Sequence, residues 1–549
     1  MPPGCSRNWK LVPAPALLAS SPKTDKSEQM NPRSAPPAQG THDDDTRILH
    51  GMGYAQELAR NLGHFSNFAI SFSIICILAG AINSLAQATS GAGGAAIGLG
   101  WPLGVVVSGV FGVAMAQIAS AYPTAGGLYH WGSILGNRFT GWLTAWFNLL
   151  GLVTVLAAIN VGTYYFFLGA FGSSLGVTDS MTTLMVFLIV LTGAQALVNH
   201  FGIALTARLT DFSGYLILGT SVALAIACLA YTETWEFSRL WTFANYSGET
   251  GGNVWPATTS SWVFLLGLLM PIYTITGYDA SAHTAEETLD ARRSVPRGIV
   301  RSIVWSGVFG YLFLCALVLM LPSLDEAAKQ GWNVFFWALD QRLPEPLKLG
   351  LLAAILSAQV LCGLATVTST SRMIFAFSRD GGLPFSATLA RVSRRHRSPS
   401  AAIWTGATLA VLFVWAAKWL EAGGTPVYSV VVSCTVIFIF FSFIIPITLG
   451  LFAFGGSRWP RMGEWNIGRA GYSLFAVLSV LAMALIFFLG VQPPNELALR
   501  VTLGFLVLAA VIWLGFERHR FKGPPVGEEI ARRQQLIAEA EAGLETAGK

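Results

Sequence analysis

Charge is what this chain has least of. Only 11% of its 549 residues are Asp, Glu, Lys or Arg, while 53% are hydrophobic; an ordinary soluble chain carries about a quarter charged residues. That shortage excludes a conventional soluble domain, and a net charge of +5 is too small to argue for a nucleic-acid surface. The six cysteines (Cys5, Cys76, Cys228, Cys315, Cys362, Cys434) show neither metal-site nor disulfide spacing, and five of them lie in apolar runs, where cysteine behaves as a small hydrophobe. All eight histidines fall in tails, loops or span ends, which argues against a buried His-metal centre and against His-based catalysis. No GxxxxGK[ST] loop occurs, which argues against an ATP-driven pump within this chain. No cofactor, metal or nucleic acid is expected. A membrane enzyme is the weakest class, because no mid-membrane carboxylate pair is available for chemistry.

Long apolar runs are present instead. From Phe65 onward they approach the ~20 residues needed to cross a bilayer and recur with short connections. The pattern predicts an all-α integral membrane protein of about twelve helices. They fall at residues 65–87, 101–121, 141–170, 181–199, 209–231, 261–283, 299–322, 349–376, 400–418, 428–453, 471–491 and 498–517, numbered here spans 1 to 12. Residues 1–46, rich in Pro, Ser, Ala and charge, read as a disordered tail. Within them Leu11–Ala19 is broken by Pro13 and Pro15 and makes a poor signal peptide, and Met30 is an alternative start. Residues 47–520 form the membrane domain, and 521–549 a second tail with a short polar helix. Roughly fifteen arginines fall in connections on the side of the termini, against six basic residues on the other side. This bias places both termini in the cytoplasm of a protein crossing the plasma or inner membrane many times, in contact with lipid.

One segment stands out, PIYTITGYDASAHTAEET, Pro271 to Thr288. Glycine weakens a helix, and an aspartate inside hydrocarbon costs about 2.5–3.5 kcal/mol or more without a cavity or partner. Span 6 is therefore predicted to break part-way. Such breaks are tolerated only where they are buried in protein or line a watery cavity, and they mark transporter binding sites. Asp279 has two readings: a partner for a cation or amine, or the commoner N-cap of the following half-helix. Glu286 and Glu287 face a loop carrying Arg292 and Arg293, as gate salt bridges or as solvated charges. Span 1 holds the small-residue cluster Ala79-Gly80-Ala81, which alone would suggest helix packing. It gains weight from its equivalence to span 6 if five helices repeat. Thr366, Ser369 and Thr370 could coordinate Na⁺ or simply bond back to helix carbonyls, the commoner role. Ala121–Tyr129 reads as a turn leading into an interfacial helix.

These segments together resemble a known family. TGYDASAHTAEET, the basic loop with VPRGI, SRMIFAFSRDGGLP and AYPTAGGLYHWGS are similar to permeases of the amino acid–polyamine–organocation (APC) superfamily. The likeness is greatest to the amino acid/choline transporter branch, which includes GABA permeases, and it runs in matching order over about residues 50–520. The resemblance implies a LeuT-type fold: inverted five-helix repeats over about 65–231 and 261–453, with two extra helices over about 471–517. It implies that the amides of Ala79, Gly80 and Ala81 receive a substrate carboxylate, and that carbonyls around Tyr273, Thr276 and Gly277 receive an amine. Two departures matter. Span 1 reads AGA where many relatives show two glycines, and Ile217 stands where many carry a lysine in span 5.

The expected function is a secondary transporter, not an enzyme, moving an amino acid or GABA-like compound by alternating access. A choline or polyamine permease is the near rival, with Tyr164, Tyr165, Tyr273 and Tyr278 as ring donors; a non-transporting nutrient receptor is the rival from another class. The coupling ion, H⁺ or Na⁺, and the oligomeric state stay open at this stage.

Overall fold

The computed structural model describes residues 39–419, 427–525 and 528–545. The expected disordered tail lies outside the described residues up to 38. From Gln39 to Gly51 the chain is helical instead. Its Asp45 accepts the Asp290 and Ala291 amides at 2.7 and 3.2 Å, capping span 7.

Among the described residues eleven helices are long and apolar enough to cross a membrane. The remaining predicted segment, span 6, is the one expected to break: Ser260–Gly267 and Leu269–Thr274 lead to non-helical residues, after which a short helix Ala280–His283 resumes. Span 1 is also broken, into His64–Ile75 and Ile77–Asn83. The others are continuous over Gly100–Ala121, Arg138–Phe167, Met181–His200, Ile203–Ala230, Ala291–Met320, Glu345–Arg379, Ser400–Trp419, Val427–Ala453, Gly468–Gly490 and Glu496–Ile512. Several start earlier than their apolar runs. Span 7 begins eight residues before the expected 299, at Ala291, because its first turns carry arginines that a hydropathy reading assigns to a loop.

Span contacts reveal the repeat. Span 2 packs on span 7 and span 3 on span 8, and the other contacts come in exchanged pairs. Span 3 lies on span 10 as span 8 lies on span 5, span 3 on span 9 as span 8 on span 4, and span 1 on span 7 as span 6 on span 2. Adding five to each span number maps one set onto the other. Because five is odd, the second copy enters from the opposite face, so the repeat is inverted. Spans 11 and 12 stand outside this scheme and are poorly enclosed, with 33% and 17% of their most apolar stretches buried, against 83% for spans 1 and 3. Exposed Leu474, Leu481, Val507 and Val511 give them a lipid-ready face.

Both ends of the described chain meet on one face, where His50 bonds Glu541 of the helix Glu528–Glu545 at 2.8 Å; this is called the terminal side below. The segment predicted as an interfacial helix is different. Leu128–Leu135 is helical, but Leu128, Tyr129, His130 and Trp131 are buried, so it enters the bundle and packs on span 3. Asn137 then starts span 3 with a capping box closed by Thr140.

Candidate functional site: two helix breaks between a vestibule and a charged seal

Span 1 breaks at Cys76, three residues before the predicted Ala79–Ala81. Its φ of 29° and ψ of 78° lie outside the ordinary helical region. The Cys76 carbonyl accepts the Ala79 and Gly80 amides at 2.7 and 3.0 Å, so two of the amides expected to hold a carboxylate already have an acceptor. The leading amides of this half-helix are those of Ile77 and Leu78, which an α-helix supplies with no internal partner. Thiol Cys362 of span 8 reaches the Ile74 carbonyl on the other side of the break, at 3.3 Å.

Span 6 opens over Ile275 to Asp279. The Ile275 carbonyl is taken by Ser108 Oγ at 2.9 Å and the Tyr273 carbonyl by Thr276 Oγ1 at 2.8 Å. Gly277 has φ +86°, a conformation that glycine adopts without penalty. A Cβ there would strike Ile74, and one on Gly80 would strike Thr274. Thus the two breaks lie directly against each other, and glycine is needed for the approach.

A narrow chamber with an open mouth lies beside the breaks. Ala79, Gly80, Tyr273 and Thr276 line it, whereas Ala81 and Gly277 do not. Ile74, Ile75, Val155 and Ile159 make an apolar wall, and Asn83, Tyr428 and Cys362 add polar atoms. No Asp, Glu, Lys, Arg or His lines it. A wider vestibule of about 980 Å³ adjoins on the far side, with Tyr165, Phe166, Trp332, Phe335 and Phe336 in its wall. Asn83 and Tyr428 border both spaces. Asn83 is held by Gln359 at 3.2 Å, and Tyr428 faces Ser84 at 3.3 Å and the Tyr273 ring edge-on.

Toward the terminal side the arrangement reverses. Glu286 and Glu287 are almost wholly buried, not solvated, and their partners are not Arg292 and Arg293. Arg372 of span 8 grips Glu287 with two bonds of 2.9 Å, and Arg379, two turns later, grips Glu286 at 2.8 and 3.0 Å. Arg293 instead pairs with Glu464, and Arg292 reaches the Ser120 carbonyl. The non-helical segment before span 1 closes over this pair: Asn61 and Leu62 amides bond the Glu287 carbonyl, and Arg60 bonds the Thr288 carbonyl at 2.6 Å. Asp380 gathers Tyr54, Tyr129 and His130 at 2.7, 2.9 and 3.4 Å. Burial alone would raise the Glu286 carboxyl, but the Arg379 charge and bonds hold it below its usual range. Burial would likewise raise Asp380, and the His130 bond and the His130 and Arg379 charges bring it below its usual range. Burial and the Asp380 charge push the Tyr54 and Tyr129 hydroxyls well up, so both stay donors.

Asp279 does not cap its half-helix. It is fully buried, and Oδ2 meets Asn148 Nδ2 and His283 Nε2, each at 3.2 Å. Thr366 and Thr370 bond back to the carbonyls of Cys362 and Thr366, while buried Ser369 Oγ has no partner. Ile217 is buried in the core. Sequence reasoning missed Cys76, Asn83, Tyr428, Arg372, Arg379 and His283. Only His283 had a local signal, its place four residues after Asp279, where helical side chains meet.

Comparison with known proteins agrees with this architecture. The family described as "Amino acid permease" matches residues 62–516. An amino-acid permease BAT1 from Arabidopsis thaliana is 32% identical over 510 residues, covering 87% of this chain and 95% of the relative. Amino-acid permease 2 of Neurospora crassa is 28% identical over 512 residues, covering 89% and 91%. A GABA-specific permease of Saccharomyces cerevisiae is 28% identical over 375 residues, covering 65% and 64%. The chain belongs to the amino acid permease family and is a multi-pass membrane transporter of amino acids, not an enzyme.

Proposed function

We propose that the protein carries a zwitterionic amino acid with an uncharged side chain, bound in the chamber between the two breaks. The observation that carries this is the chamber's composition: helix ends and apolar walls, with no Asp, Glu, Lys, Arg or His side chain. A ligand of zero net charge suits such a site, since an unpaired charge would meet no counter-charge there. Its carboxylate would sit at the start of the Ile77–Asn83 half-helix, where a helix N-terminus favours negative charge by about 0.3–1 kcal/mol, or up to about 2 when partly buried. Its amine would face the carbonyls around Tyr273 and Thr276, each of which keeps a second lone pair. Val155 and Ile159 would cover the side chain.

The choline reading loses support. Of the four tyrosines that could cage a quaternary amine, only Tyr273 lines the chamber. Tyr164 bonds Asp179, Tyr165 lies in the vestibule, and Tyr278 packs on Phe443.

Alternating access follows from the asymmetry, with rocking of spans 1 and 6 against the rest exchanging vestibule and seal. The arginine bias assigns the terminal side to the cytoplasm of the plasma or inner membrane, so the vestibule would admit solute from outside. Uptake of radiolabelled neutral, cationic and anionic amino acids, GABA and choline into proteoliposomes tests the reading. Neutral zwitterions should be carried and their methyl esters should compete poorly. Equal competition by choline would overturn it.

A further inference from the structure

Asp279 and His283 lie between the chamber and the charged seal, one helical turn apart, and neither is exposed. His283 Nε2 faces Asp279 Oδ2 at 3.2 Å, and His283 Nδ1 faces the Ala125 carbonyl at 3.3 Å. The carbonyl can only accept, so Nδ1 must carry a hydrogen for that bond to exist. An ionised carboxylate also only accepts. Both contacts are therefore satisfied only when the couple holds one proton beyond neutral histidine and ionised aspartate, as imidazolium–carboxylate or as imidazole–carboxylic acid. Asp279 Oδ1 and Asn148 Oδ1 are buried acceptors without a donor, so the site is short of hydrogens.

Among the described residues, the neighbouring elements present mainly uncharged groups to it. Span 1 presents Asn67 and Ser71 to Ser281, and span 7 presents Gly298 there. Span 3 contributes Asn148, span 10 Ser442 beside Asn148, and the loop after span 2 the Ala125 backbone. Tyr278 is the adjacent titratable group on the same segment, and its hydroxyl has no partner. Span 8 presents Arg372 and Arg379, both held by Glu287 and Glu286.

We propose that Asp279 and His283 form the proton-carrying site that couples amino acid movement to a proton gradient; this rests on the permease reading above. The couple takes one proton from the far-side phase, forming one N–H or O–H bond, and later releases it to the terminal side. No other bond changes. Ala125 links this proton to the seal: its carbonyl meets His283, and its amide donates to Glu286 Oε1 at 3.1 Å. Loss of the proton leaves either two lone pairs facing each other at Oδ2 or an unbonded Ala125 carbonyl. That loosens the loop which steadies the Glu286–Arg379 pair, so deprotonation and opening of the seal go together.

The test uses the full chain in proteoliposomes. Wild type should concentrate a neutral amino acid under an inward proton gradient, and collapsing that gradient should abolish accumulation. Asp279→Asn and His283→Gln should lose accumulation yet retain exchange of labelled for unlabelled amino acid. Accumulation that survives in both variants, or a wild type driven by a sodium gradient alone, overturns the proposal. If a variant also fails to exchange, its amino acid binding measured by thermal shift at two pH values decides: loss of a pH dependence that wild type shows supports the proposal, and an unchanged dependence overturns it. Absence of exchange in the wild type would instead count against the substrate reading.

Discussion

The two ends of the translocation path are built from opposite materials. Toward the far side, rings of Tyr165, Phe166, Trp332, Phe335 and Phe336 surround an open vestibule. Toward the terminal side, two carboxylates and two guanidiniums are locked together out of water. The breaks sit between, with backbone rather than side-chain charge facing the chamber. The difference teaches how a symmetric repeat works asymmetrically. Paired helices can exchange roles, but only one end is closed at a time, and here the charged end is shut.

The strongest way to break this comparison is to remove one guanidinium. Arg372→Ala leaves Glu287 buried without its partner, and breaking a buried pair costs about 3–5 kcal/mol. A large fall in thermal midpoint in detergent is expected, with greater labelling of cysteines introduced on the terminal side; unchanged melting and labelling would show that the pair does not hold the seal. The pH dependence sharpens the point. The Glu286 carboxyl lies below its usual range, so its contribution is present above the ordinary carboxylate pKa of about 4.3 and is lost as pH falls through the lower folded value. By its own titration the Glu286–Arg379 pair should thus be indifferent to pH in the neutral range.

Next in size is Gly277→Val. A branched side chain at φ +86° is strained and would collide with Ile74. Transport should be nearly abolished while membrane insertion and yield persist, and near-normal uptake would separate the break from the site. A smaller effect is expected for Tyr428→Ala, which merges vestibule and chamber. Its apparent affinity should weaken by about ten-fold, some 1.4 kcal/mol, in concentration-dependent uptake, and an unchanged affinity would mean Tyr428 does not bound the bound state. The smallest is Lys348→Ala on the far side. Its partners Asp340 and Glu345 are mostly exposed, and such pairs contribute about 0–1 kcal/mol. A thermal shift comparable to that of Arg372→Ala would erase the contrast between the two ends.

The break in span 6 was legible because its cause is local: a glycine with positive φ followed by a carboxylate. The break in span 1 was misplaced because Cys76 carries no local signal. It is set by tertiary fit, where Ile74 must meet Gly277, and the small residues Ala79 to Ala81 only mark the helix that follows. The seal was half legible. Glu286 and Glu287 stood out, but their partners lie 93 and 85 residues away and were read as cytoplasmic loop charge, since hydropathy cannot tell a helix end from a loop. The hydroxyls of Thr366 and Thr370 follow the commoner local bonding pattern, whereas Ser369 does not.

Closing the terminal side with ions instead of greasy side chains has a consequence for how it opens. An apolar plug resists separation in proportion to the area that must be wetted. A carboxylate and a guanidinium lose their mutual attraction on parting but regain hydration, and those terms largely offset. Arg372 and Arg379 also project from one rigid helix, and their partners are consecutive residues, so a single small displacement admits water to both. The first water molecules to enter would weaken what remains of the closure, turning a gradual movement into an abrupt one. Such a door needs little work to swing, and it stays shut mainly because it is dry.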